Sequence, residues 1–106
     1  MDPYRRLAVS LIYGAALDYH RYWNTELRRQ YVVRALRAKK LGREAAEAMK
    51  NRILERLHRR ALAAENWLRG DAAPMPFSLC AESIGWHADN LCERVLRYST
   101  GHNLGE

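Results

Sequence analysis

Asn90, Glu93, Arg94 and Arg97 recur at intervals of three and four residues, so on a helix they stand on one face. Their side chains match the edges of base pairs in a DNA major groove: asparagine pairs with adenine, arginine with guanine, and glutamate accepts from the amino group of cytosine. A second set, Arg52, Arg56 and Arg59, has the same helical spacing and would offer three guanidinium groups to phosphates along one ridge. A plain solvated face shows the same residue types. What distinguishes the two is where the rest of the chain places these faces.

Other chemistry finds little footing. His20, His58, His87 and His102 are scattered, with no two at metal-ligand spacing on one helix. Asp18 and His20 are two residues apart and point to different faces of a helix, which disfavours a catalytic dyad. There is no glycine-rich phosphate loop, nucleophile elbow or paired carboxylate motif, so neither an enzyme nor a cofactor is expected. Cys80 and Cys92 form no CxxC pair, and with His87 they would still lack the fourth ligand of a closed zinc site. They read as buried free thiols, in keeping with a cytoplasmic setting.

The arginine and asparagine face belongs to the stretch Phe77 to Tyr98, which reads as a helix-turn-helix. Two short helices crossing steeply need a small residue at the crossing, a glycine in the turn and apolar residues inside. With Phe77 as the first position, Ala81 falls at the crossing, Gly85 in the turn, and Cys80, Ile84, Trp86 and Leu91 inside. The late apolar position falls on Arg94, and Val95 supplies the side chain one residue later. Ser78 is the candidate N-cap of the first helix. In a second helix from about Ala88, the residues Leu91, Val95 and Tyr98 face inward.

The elements before it form a basic scaffold, residues 1–70. Asp2-Pro3 is a helix start, followed by a stripe of Tyr4, Ala8, Leu11, Ala15, Tyr19 and Tyr22 that Ile12 and Trp23 widen. The apolar run after Arg5-Arg6 is short and closed by Asp18, so it reads as a core helix and not as a leader; no segment has the length of a membrane span. Asn24-Thr25 ends this helix and can cap the next, which Gly42 closes. In that second helix Leu27, Tyr31, Ala35 and Ala38 line one side while Val32 and Leu36 point elsewhere. It is therefore buried on two sides or engaged with a partner chain. The third helix, about Arg43 to Arg69, carries Ala46, Met49, Ile53, Leu57, Ala61, Ala64 and Leu68 in one arc, as a core or dimer seam requires. Arg60 lies beside that arc and must snorkel or find a partner. Gly70-Asp71 ends the helix, and the prolines of the following AAPMP forbid a continuous helix into the motif.

The 106 residues hold 18 Lys and Arg against 12 Asp and Glu, a net +6, which favours a polyanionic partner. That charge is unevenly placed. Residues 1–70 hold 16 bases and 7 acids (+9), and residues 71–106 hold 2 bases and 5 acids (−3). Since phosphate neutralisation supplies much of the affinity for DNA, the scaffold would have to provide it.

The residues Trp67-Leu68, Asp71, Pro76-Phe77-Ser78, Glu82 and Ile84-Gly85, with Asp89 and Leu91 beyond, resemble a loose group of short phage and prophage proteins. In that group a W-L pair, an acidic turn, P-F-S and a Cys/Glu-containing helix precede L-G-L-D-P-D and an arginine-bearing helix. Here His87-Ala88 stands where the group has Asp-Pro, and the first helix is about two residues shorter. The resemblance implies a mobile-element setting and a helix-turn-helix.

The resulting expectation is an all-α chain of four to five helices: one helical domain over 1–98, with the helix-turn-helix at 77–98 and a flexible tail at 99–106. It would act as a small DNA-binding regulator of transcription on double-stranded DNA, as a homodimer built on the third helix. The rival is a non-enzymatic adaptor whose basic helices meet the acidic surface of a host protein; a packaging or RNA-associated protein also suits the charge.

Overall fold

The computed structural model describes residues 2–71 and 73–99, with side chains through Arg97. Of the tail expected at 99–106, Ser99 is the last residue of the final helix and the rest, with His102, lies outside the described residues, as does the inward side chain of Tyr98. Among the described residues five α-helices follow one another, α1 (Pro3–Trp23), α2 (Thr25–Arg37), α3 (Arg43–Leu68), α4 (Phe77–Ser83) and α5 (Ala88–Ser99), and there is no strand.

Local chemistry sets most of the boundaries. The Asp2 carboxylate accepts from the Tyr4 amide at 3.0 Å and Pro3 occupies the first position of α1, where a missing N–H costs nothing. Asn24 is the joint between two helices: its amide donates to the His20 carbonyl at 2.9 Å, and its Oδ1 accepts from the Leu27 amide at 3.0 Å. It is also buried, so each of its polar groups needs such a partner. α3 ends in a Schellman motif, with Gly70 at φ 106°, its amide on the Trp67 carbonyl and the Asp71 amide on the Asn66 carbonyl. α4 ends in the same way: Gly85 has φ 83°, its amide donates to Glu82, and the Trp86 amide donates to Ala81 at 2.9 Å. Both turns use the left-handed conformation that glycine adopts without a Cβ penalty.

Two boundaries differ from the expectation. Gly42 does not close α2. It has φ −66° and serves as the N-cap of α3, its carbonyl accepting from the Ala46 amide; α2 has already ended at Arg37, and the left-handed residue in the connection is Lys40, φ 46°. Ser78 does not cap α4, which begins at Phe77, two residues earlier than a Ser78 cap would start it, with Pro76 at the cap and no side-chain cap bond. The start of α4 is fixed by packing instead, because Phe77 is buried with its ring edge-on to Trp67, centroids 5.2 Å apart. Trp67 Nε1 also donates to the Met75 carbonyl at 2.9 Å, tying the proline-containing connector back to α3.

α1 and α3 form the most extensive helix pair, and α1 also contacts α2, α4 and α5. One cluster joins Ala8, Ile12, Ala15 and Tyr19 of α1 to Ala64 and Leu68 of α3 and to Phe77, Cys80 and Ala81 of α4; Leu91, Cys92, Val95 and Leu96 of α5 close over it. A second joins Val32 of α2 to Ile53 and Leu57 of α3, with Tyr22, Tyr31, Ala35, Leu36, Met49 and Leu54 around it. The alanines let helices approach closely where they cross. The buried strip of α1 is thus rotated from the expected one: Tyr4 is 72% exposed and Leu11 36%. On α2 the inward residue is Val32, and Leu27 and Ala38 are exposed, because α2 folds back along the N-terminal half of α3.

Candidate nucleic-acid interface

The face of α5 rests on how α4 and α5 meet. Ala81 is completely buried, Cys80 nearly so, and Ile84, Leu91 and Val95 are half-buried against the same cluster. Trp86 departs from its expected inward position. It is 40% exposed, because the Gly85 turn directs residue 86 out of the core, and its ring lies beneath the Arg94 guanidinium, 5.3 Å from carbon to centroid.

Asn90, Glu93, Arg94 and Arg97 are all exposed on α5. Arg97 Nη2 donates to Glu93 Oε1 at 3.0 Å, an exposed i,i+4 pair of the kind worth only about 0.3–0.5 kcal/mol. The Arg94–Trp86 contact is likewise at the surface.

Arg52, Arg56 and Arg59 are also exposed, on the side of α3 away from its buried residues Ile53, Leu57, Ala61, Ala64 and Leu68. They span about 10 Å of helix and make no ion pair among the described residues. The fold does not bring this ridge onto α5. α5 packs on α1 and α4, beside the end of α3 marked by Leu68, roughly 14 Å along the helix from Arg59 and roughly 24 Å from Arg52. The residues expected to read bases and those expected to hold phosphates therefore lie on separate surfaces.

A larger basic surface lies elsewhere. Between residues 28 and 43 there are seven Lys and Arg and no acid, all exposed except Arg28. Arg28 is held in place, donating to the Tyr22 carbonyl at 2.9 Å with its guanidinium 5.6 Å from that ring's centroid. The run was visible in composition, but helical periodicity directs attention to α3 because α3 has the cleaner stripe. Glu26, just before it, accepts from Arg29 and Gln30, and the Arg29 bond foremost holds its carboxyl below the usual range. Arg60 faces a shallow cleft that also contains Asp18 of α1.

The two thiols show no sign of activation. Cys80 is buried, Cys92 half-buried, both are free, and burial pushes both thiols up from the ordinary value, the opposite of what a nucleophilic cysteine requires. Cys92 and Tyr19 border an open cleft of about 940 Å³ between α5, α4 and the end of α3. The Tyr19 phenol is likewise raised, by burial first and by Glu65 second. Among the described residues no three of His, Cys, Asp and Glu are grouped to hold a metal ion, and no helix is long and apolar enough to cross a membrane. Comparison with protein-family models, with curated proteins and with solved structures gives no match.

Proposed function

We propose that this chain is a small DNA-binding regulator of the phage or mobile-element type, in which α4 and α5 act as a helix-turn-helix and α5 enters the major groove of double-stranded DNA. The observation that carries this reading is the division of α5 into two faces. Leu91 and Val95 turn into the core, while Asn90, Glu93, Arg94 and Arg97 are exposed, on a helix that follows the Gly85 turn. Base edges are read by such side chains from such a helix. The Arg52, Arg56 and Arg59 ridge and the bases of α2 supply phosphate contacts.

A homodimer covering two half-sites would form on a surface other than the α3 arc, whose central residues are already buried against α1 and α2. Selection from a pool of random duplexes at two salt concentrations tests the reading. A regulator enriches one sequence family, and its affinity falls steeply with salt; absence of enrichment at both concentrations defeats it.

The distance between α5 and the positive surface favours a second reading, a non-enzymatic adaptor that meets an acidic protein through its basic helices. On this reading α5 is a solvated face and random duplexes yield no preferred sequence.

A further inference from the structure

Between α2 and α3 runs an open groove of about 500 Å³. Its floor is aliphatic, made of Val32, Val33 and Leu36 from α2 and Leu54 from α3, and its rim is basic, with Arg28 and Arg29 on one side and Lys50 on the other. On α2 the lining runs from Thr25 to Leu36, a length of roughly 16 Å, or three turns of helix. Val33, Leu36 and Leu54 remain only half-buried, since the two helices of the hairpin leave the trough between them unfilled.

The geometry points to a docking site for one amphipathic helix of a partner protein, with apolar residues along one edge and Asp or Glu on both flanks. Recurrent apolar anchors in a groove between two helices are a standard mode of helix recognition, and charge decides the occupant. Residues 21–60, which contain the groove, hold 13 Lys and Arg against 4 acids. Glu26 is already engaged by Arg29, and Lys50, Arg37, Lys39, Lys40 and Arg43 have no ion pair among the described residues. An acidic helix would therefore meet positive charge on both sides and beyond the Leu36 end.

Other occupants fit less well. Nucleic acid has no aliphatic ridge to fill the floor, and the floor has no aromatic ring on which a base could stack. A lipid surface requires apolar side chains that project, whereas these are recessed. The densest row of exposed apolar residues that a second copy could offer is Leu7, Val9, Leu11 and Tyr13 of α1, which follow Arg5 and Arg6 and would bring like charges together; Leu62, Leu79 and Trp86 are exposed on separate elements and form no helical row. This docking site deepens the adaptor reading and does not rest on α5; it competes with the proposed phosphate contacts for the bases of α2, and the two are told apart by whether duplex DNA or the acidic helix takes the groove.

The test uses the full chain and a synthetic peptide of about 15 residues with leucines at i, i+3, i+7 and i+10 and glutamates on both flanks, followed by fluorescence anisotropy and amide chemical shifts. Its controls are a scrambled peptide of identical composition and one with lysine in place of each glutamate. The acidic amphipathic peptide is expected to bind at least about tenfold more tightly than either control, and Val33→Asp to reduce that affinity about tenfold. Shift changes should be confined to residues 25–40 and 43–54. Lys50→Glu, at an exposed position, should weaken the acidic peptide and strengthen a version with lysine on the facing flank. Equal binding of all three peptides, shifts centred on α5, insensitivity to Val33→Asp in a chain of unchanged circular dichroism, or displacement of the peptide by duplex DNA with shifts at the same amides would overturn it. The last result would assign the groove to nucleic acid.

Discussion

Arg94 and Trp86 are partners: the guanidinium of the first lies over the indole of the second, 5.3 Å from its centroid. The contact links the residue that leaves the Gly85 turn to a residue on the exposed face of α5, so the turn orients a side chain proposed to read bases. An exposed cation–π contact is worth about 0.5–1 kcal/mol. Trp86→Ala is therefore expected to weaken binding to a preferred duplex about two- to fivefold and to leave random duplexes unaffected. An equal loss on both would show that Trp86 acts only through the fold.

The two arginine sets should separate affinity from specificity. Alanine at Arg52, Arg56 or Arg59 should weaken binding to every duplex alike and lower the salt slope by about one unit for each residue removed. Alanine at Arg94 or Arg97 should cost about 1–3 kcal/mol on a preferred site and little on random sequence. Identical behaviour of the two sets in titrations at several salt concentrations would leave α5 without a reading role.

Glycines 14 and 85 should respond in opposite directions to the same substitution. A Cβ at either position meets nothing within 4 Å, so only backbone conformation decides the outcome. Gly14 lies within α1, and Gly14→Ala should stabilise the protein by about 0.5–1 kcal/mol. Gly85 has φ 83°, and Gly85→Ala should cost about 1–2 kcal/mol. Urea unfolding of the two variants checks the signs, and a stabilised Gly85→Ala protein would refute the strained turn.

Burial holds the His20 imidazole below its ordinary value of 6.5, and its Nδ1 is buried with no hydrogen-bond partner among the described residues. The unfolded chain therefore binds the proton more readily than the folded one. The stability that this residue confers is complete above pH 6.5 and is lost as the pH falls from there towards the lower folded value. Urea midpoints should decline through that window, and His20→Gln should flatten the decline. A variant that tracks the parent at every pH would assign the acid sensitivity to other groups.

Local chemistry was readable from the residues, whereas orientation was not. The Asp2-Pro3 start, the Asn24 joint and the glycine stops at 70 and 85 depend on side chains within a turn of the boundary, and all stand where short-range rules place them. α1 is apolar nearly all round, so only the docking of α3, α4 and α5 could select Ala8, Ile12, Ala15 and Tyr19 over a strip through Tyr4 and Leu11. A glycine between two helices suits either end, so Gly42 fits the close of α2 by local rules and yet caps the start of α3. The exposed face of α5 follows from period alone, but the α2–α3 groove needs Lys50 and Leu54 beside residues some twenty positions earlier. No local pattern encodes that adjacency.

Since α1 touches every other helix, the order of synthesis works against it. Its inner strip leaves the ribosome ahead of the other four helices, while Phe77, Cys80 and Ala81, which must cover part of that strip, are more than fifty residues behind. At about 5–20 residues per second the delay lasts roughly 3–15 seconds. During that time the nascent chain can form an α1–α2–α3 assembly with one flank open, and α4, only seven residues long, has too few turns to hold its shape before it docks. The earliest of these five helices is thus the last to be fully enclosed, and the interval before α4 and α5 arrive is when a chaperone or a premature partner would find it.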